Sequence, residues 1–497
     1  MLLWFVILYL MVSVGIGLYA ATRVHSARDY AVAGRSLPLP VVTATVFATW
    51  FGAEAVFGIP ATFVKDGLTG IVADPFGSAM CLVLAGIFFS RYLYKLNIIT
   101  LGDFYRMRYN RTVEILTTIC IVASYLGWVA AQIKALGLIF FVVTDGGISQ
   151  SAGMILGTAI VLTYTIFGGM FSVAILDFVQ MAVSMGGLLF IASIVSDKTG
   201  GVAAVISHAS AAGKLEFFPP PDPWLWITFL GAWVTMMLGS IPQQDVFQRV
   251  TSAKSANIAL AGSILGASIY FCFAFVPMFI AYAATLIDPA MFADLLVKDS
   301  QLVLPTLVLQ HTPLVAQVLF FGAVLSAIMS CSSATLLAPS VTFAENVVKG
   351  FFPHMGDHMF LRTMRICLVG FALMVLTFAL NSEASIFKMV ENAYKITLAG
   401  AFVPLAFGAF WKRATTQGAL CAIFGGLLSW ILVEVLIGDK SPVPPQLIGL
   451  GISILGMLAG SLLPQRVGHK IPGQTLHEMH AQAAAITHHV ADHPHHH

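Results

Sequence analysis

Thirteen apolar stretches limit what this chain can fold into; hydropathy sets them at roughly 2–22, 40–63, 71–92, 113–142, 149–166, 170–195, 222–247, 257–288, 314–348, 360–381, 387–411, 416–438 and 444–464. About twenty helical residues cross the hydrocarbon of a bilayer, and inside it a backbone must satisfy its own hydrogen bonds. Stretches of this length suit helices and are too long for barrel strands. The expected fold is therefore an all-α polytopic membrane protein with about thirteen transmembrane helices. With 58% of the 497 residues hydrophobic and only 10% charged, a water-soluble core has no room for so much apolar surface.

The connections add little beyond the membrane part. They are short except for about 196–221 and 289–313, so the expectation is a single transmembrane domain over residues 1–465. The first stretch has no basic leader and no small-residue cleavage site, and reads as a retained helix. Residues 466–497 form a different kind of segment, carrying nine of the fourteen histidines. Pairs such as His477 with His480 and His488 with His489 suit Zn²⁺ or Ni²⁺, and a flexible tail or purification remnant explains them equally well. The six cysteines lie in or beside apolar stretches and read as small hydrophobes. A net charge of +2 without a basic cluster argues against nucleic acid as a partner, and oligomeric state leaves no mark on the sequence. If the N-terminus is outside, seventeen Lys and Arg lie on the inner side against five on the outer (Lys65, Lys198, Lys214, Lys298 and Lys440). Basic residues stay on the cytoplasmic side, so the expected topology is N-terminus out and C-terminus in, within an inner or plasma membrane.

Two stretches carry polar and small residues where lipid alone would ask for leucine. The second holds Ala48-Thr-Trp50-Phe51-Gly-Ala-Glu54-Ala-Val-Phe-Gly-Ile-Pro60, and the ninth holds Ser326-Ala327-Ile-Met-Ser330-Cys331-Ser-Ser333-Ala-Thr335. Interrupted spans in corresponding halves of a membrane chain mark the ion and solute site of a transporter, because an unwound backbone offers its carbonyls. The alternative is close helix packing through small residues, which leaves Glu54 unexplained. In the fourth stretch, Trp128-Val-Ala-Ala-Gln-Ile-Lys134 places a cation inside the membrane. Either Lys134 meets a polar cavity or an acid, with Glu54 the expected partner and Lys134 a coupling charge, or it snorkels to the headgroups.

Further motifs point to a family. Tyr164-Thr-Ile-Phe-Gly168-Gly169-Met170-Phe-Ser172, continuing to Asp177 and Gln180, resembles the signature of the sodium:solute symporter family. Gln248-Arg249-Val-Thr-Ser-Ala-Lys254-Ser255, Pro404 to Arg413 with Gly418, and Thr100-Leu-Gly-Asp103-Phe-Tyr-Arg-Met-Arg108 are similar to family stretches in the same order. The resemblance implies two inverted five-helix repeats, about 40–195 and 222–411, and a Na+ site between the second and ninth spans. Its ligands would be the carbonyls of Ala48, Phe51 and Ala327 and the hydroxyl of Ser330. Cys331 stands where a second hydroxyl is usual, and a thiol suits a hard cation poorly. A second Na+ site would use Asp177 with Ser330 and Ser333. Proton coupling through Glu54 or Asp177 is the competing expectation.

For the solute, the order of Trp50, Trp128, Leu238-Gly-Ser-Ile-Pro242 and Met329-Ser330 resembles the choline-transporting branch of that family. The indoles of Trp50 and Trp128 offer π faces to a cationic nitrogen, although each also fits as packing or an interfacial anchor. Ser78 and Gln243 stand where that branch carries aromatic rings, so the expected solute is small, polar and nitrogenous, amino-acid-like or a quaternary amine, with Glu54 and Asp74 facing its cationic group. A membrane sensor built on the transporter fold is the rival reading. An enzyme is not expected, since no paired nucleophile and base or metal-ligand spacing is present.

Overall fold

The computed structural model describes residues 1–298, 300–383 and 386–467; among these it is helical, with one isolated bridge between Leu37 and Ala253. The histidine tail expected to hold a metal or to be flexible lies outside the described residues. Nine helices are long and apolar enough to cross a bilayer, and three further helix pairs do so across a bend, giving up to twelve spans among the described residues. One of the nine, Gln150–Thr199, has 50 residues, more than twice what a bilayer needs. Its backbone leaves helical geometry at Gly169 (φ 53°, ψ −134°), so it supplies the fifth and sixth of the thirteen expected spans. A methyl group at Gly169 would lie 2.5 Å from a ring carbon of Tyr30, so only glycine fits this left-handed turn.

Three spans are broken. The second is Leu39–Trp50 followed by Glu54–Asp66 at 59°, the seventh is Pro223–Gly239 followed by Gln244–Thr251 at 44°, and the eleventh is Met389–Gly400 followed by Phe402–Phe410 at 46°. In the second, Phe51 takes φ −86°, ψ 75° and ends the first half. A π turn at Glu54–Gly58 then absorbs the N–H that Pro60 lacks. In the seventh, Pro242 disfavours helix in the residue before it, and the chain breaks there. The second and seventh spans open the two sets of five helices, as an inverted repeat requires.

The ninth span departs from expectation. It runs unbroken from Leu314 to Phe343, so the interrupted partner of the second span is the seventh. The hydroxyls of the ninth bond back within their own helix: Ser326 to Gly322 O at 2.7 Å, Ser332 to Ile328 O at 2.7 Å and Thr335 to Cys331 O at 2.7 Å. Hydroxyls used this way leave the helical ladder intact.

The second span packs along the eighth, and the ninth lies against the fourth and the fifth–sixth element. The entrance of the second span is tied to the exit of the seventh, with Leu37 N–H donating to Ser252 O at 3.0 Å and Lys254 N–H to Leu37 O at 2.8 Å. A short helix, Leu101–Arg108, opens with a capping box at Thr100 and Asp103 and fastens neighbouring ends. Leu101 N–H donates to Gln244 Oε1 at 2.8 Å, where the seventh span restarts. The Tyr105 hydroxyl donates to Ala401 O at 2.7 Å, at the bend of the eleventh. Outward faces carry large exposed apolar side chains, among them Trp4, Ile366, Leu373 and Leu436, which suits contact with hydrocarbon.

Candidate functional site

The break in the second span sits at the centre of the bundle with its residues buried. The N–H of Ala53, which a continuous helix would give to the Thr49 carbonyl, instead donates to Gln132 Oε1 at 2.8 Å. Gln132 Nε2 donates to Glu54 Oε2 at 2.7 Å. A methyl group at Gly52 would lie 2.6 Å from Gln132 Oε1 and 2.7 Å from Cys331 Cβ and Sγ, so glycine here lets the fourth and ninth spans close on the break. Ala48, Phe51, Ala327, Ser330 and Cys331 are all buried on the facing stretches of the second and ninth spans.

Asp177, on the sixth span and fully buried, joins the same two spans. Its carboxylate accepts from Thr45 Oγ1 at 2.6 Å and from the Ser330 hydroxyl. Ser333 donates to the Ser330 carbonyl at 3.0 Å. These groups offer hard oxygens, which fit Na+; the Cys331 sulfur does not fit and fills the space against Gly52. Ala327 belongs to an intact helix, so its carbonyl has a second lone pair to offer beyond its helical bond.

Beside the break, aromatic rings gather. Trp50 meets Trp128 edge-on at 6.2 Å, Tyr125 stacks on Trp128 at 5.7 Å, Tyr394 lies 5.5 Å from Trp128, and Tyr270 lies 6.4 Å from Trp50. The Trp50 indole donates to Asp245 Oδ2 at 2.7 Å, and Tyr125 donates to the other oxygen of Asp245. Asp74, at a kink of the third span, accepts from Ser78 Oγ at 2.7 Å and from the Tyr270 hydroxyl. Gln243 lies in the gap of the seventh span and donates to Ser124 Oγ and Thr397 Oγ1, both at 3.2 Å. Gln243, Gln244 and Asp245 are thus bonded within the protein, a use that their sequence did not suggest.

Lys134 is not a partner of Glu54. Two residues apart on a helix, Gln132 and Lys134 point to opposite sides, and Gln132 takes the side of Glu54. Lys134 lines a different cavity of about 360 Å³, together with Gln150, Gln301 and Glu383. Arg249, counted among the basic residues of the inner side and its adjoining span ends, is fully buried in the second half of the seventh span. Its Nε donates to Thr49 Oγ1 at 2.8 Å, with Asp177 and Asp245 in electrostatic reach.

Residues 30–426 match the model of the sodium:solute symporter family. The chain belongs to this family. It is a multi-pass membrane transporter rather than an enzyme, and sodium is its coupling ion. Among curated relatives, the high-affinity choline transporter 1 of Drosophila melanogaster is 28% identical over 431 residues, covering 84% of this chain and 68% of the relative. An osmoregulated proline transporter of Bacillus subtilis is 25% identical over 488 residues, covering 92% and 93%. A Na+-coupled sialic acid symporter in a substrate-bound outward-open state superposes with a TM-score of 0.79 at 18% identity, covering 95% of this chain and 98% of that one. That likeness establishes the symporter fold.

Within that fold, Gln132, Arg249, Tyr125, Tyr270 and Tyr394 are the site residues that sequence reasoning passed over. Two of them had a signal. Gln132 and Tyr125 lie one turn to either side of Trp128 and share its face.

Proposed function

We propose that this symporter carries a small solute with a cationic nitrogen, amino-acid-like or a quaternary amine, to a site beside the break of the second span, and that it works by alternating access. One observation carries the reading. Glu54 and Asp74 are buried at the centre of the bundle, yet the donors bonded to them are neutral: an amide for Glu54, and hydroxyls for Asp74. Buried carboxylates held by neutral donors call for a cation, and the rings of Trp50, Trp128, Tyr125, Tyr270 and Tyr394 suit one that has shed its water. Ser78 and Gln243 act here as supports for Asp74 and the seventh-span gap.

Sodium would be held by the carbonyls of Ala48, Phe51 and Ala327 with the Ser330 hydroxyl, and a second ion by Asp177 with Ser330 and Ser333. An ion that binds one arrangement better than the other shifts the protein toward it, and by linkage raises affinity for the solute. The charge asymmetry supports an N-terminus outside and a C-terminus in the cytoplasm, across an inner or plasma membrane.

The test is uptake into proteoliposomes of labelled choline and of labelled proline under an imposed Na+ or H+ gradient. Accumulation of either solute driven by Na+ and lost in K+ is expected. Accumulation driven by an H+ gradient alone would assign coupling to Glu54 or Asp177 instead, and binding without accumulation would indicate a sensor. Uptake of a neutral sugar in place of both amines would overturn the solute class.

A further inference from the structure

Gln132 performs two tasks with one side chain. Its oxygen holds the backbone of the break through Ala53 N–H at 2.8 Å, and its nitrogen holds the Glu54 carboxylate at 2.7 Å. The orientation of the amide is forced by its partners, since a backbone N–H needs an acceptor and a carboxylate needs a donor. The side chain is fully buried, one helical turn from Trp128, which itself packs on Trp50 at the end of the first half-helix. The fourth span therefore grips both sides of the break. Glu54 is also within electrostatic reach of Asp74 from the third span, Tyr270 from the eighth, Cys331 from the ninth and Tyr394 from the eleventh. Among the described hydrogen bonds of Glu54, the one from Gln132 comes from a side chain that also bonds the backbone of the break.

We propose that Gln132 is a positioning residue that links the ion half of the site to the solute half. The proposal rests on the reading that sodium binds at the break and the solute's cation faces Glu54. An amide is rigid, so a shift of Glu54 toward an arriving cation turns the Gln132 nitrogen and with it the oxygen. Released by Gln132, the Ala53 N–H has the Thr49 carbonyl as its helical acceptor. Closing that bond would rebuild the ladder across the gap and withdraw carbonyls from the ion. Gln132 thus keeps the gap open while Glu54 is in place, and reports the position of Glu54 to the backbone. Gly52 is what allows it to come so near.

Sodium alone serves as the probe. Thermal unfolding midpoints of the purified full chain, measured in NaCl against KCl at equal ionic strength, give the half-saturating Na+ concentration through ligand stabilisation. Gln132→Met, which keeps the shape and loses both bonds, is expected to raise that concentration about tenfold. Glu54→Leu is expected to raise it several-fold, although Glu54 is not a proposed sodium ligand. In the double variant the two effects should not multiply, because both act through one amide. Should the larger substitutions fail to fold, Gln132→Asn and Glu54→Gln form the second cycle, with the same non-multiplying result expected. Effects that multiply, or a Gln132→Met protein with unchanged sodium response, overturn the link. A wild-type protein stabilised equally by NaCl and KCl would instead remove the sodium site on which the link rests.

Discussion

Ser330 is the residue where the proposed ion would meet the acid, since its hydroxyl bonds Asp177 from the buried face of the ninth span. Ser330→Ala should raise the Na+ needed for half-maximal uptake by about tenfold and leave the solute KM at saturating Na+ within about twofold. Sodium activation equal to wild type would remove Ser330 from the ion site. Cys331→Ser tests the departure from the family's usual hydroxyl in the opposite direction: a hard oxygen in place of sulfur should lower the half-activating Na+ concentration, read from the same uptake curves. For the aromatic box, Trp50→Ala and Trp128→Ala should each raise solute KM about tenfold with sodium activation retained. Normal KM in both would reduce these indoles to packing. At this scale the sequence was legible where chemistry is unusual for lipid, as at Glu54, Asp74 and Asp177. It misled where formal charge drew the eye. Lys134 is the louder residue of its helix, yet the quieter amide two positions earlier faces the centre. Arg249 reads in sequence as a span-end cation, and its packing shows that it is enclosed.

Glycine and proline made some elements readable and hid others. Gly52, Gly58 and Pro60 announced the break of the second span, and the Gly168-Gly169 pair announced the turn between the fifth and sixth. In the ninth span, a run of hydroxyls imitated an interruption; its helix stays whole because those hydroxyls find acceptors in the preceding turn. Pro242 belongs in sequence to the Leu238–Pro242 motif, and the seventh-span break beside it shows only in the folded chain. Gly169→Ala is the sharpest test of an element. With a methyl group 2.5 Å from Tyr30 and a positive φ, the fifth and sixth spans cannot keep their present turn. The expected outcome is a lower unfolding midpoint and poor recovery of folded protein, whereas Gly186→Ala, where a methyl group meets nothing within 4 Å, should unfold like wild type.

For the whole molecule, counting apolar stretches gave the architecture because bilayer thickness is an external ruler that the chain has to match. The relation between spans had no such ruler. Which helices carry the gaps, and which side chains bridge them, follows from contacts between residues more than a hundred positions apart, such as Trp50 with Asp245. The bridge at Leu37 is one of these distant contacts. Two backbone bonds join it to Ser252 and Lys254, so the start of one broken helix and the finish of the other share an anchorage. Neither half-helix at that end is free to tilt alone; a swing begun by one is handed to its mate, and the pair turns as a yoke.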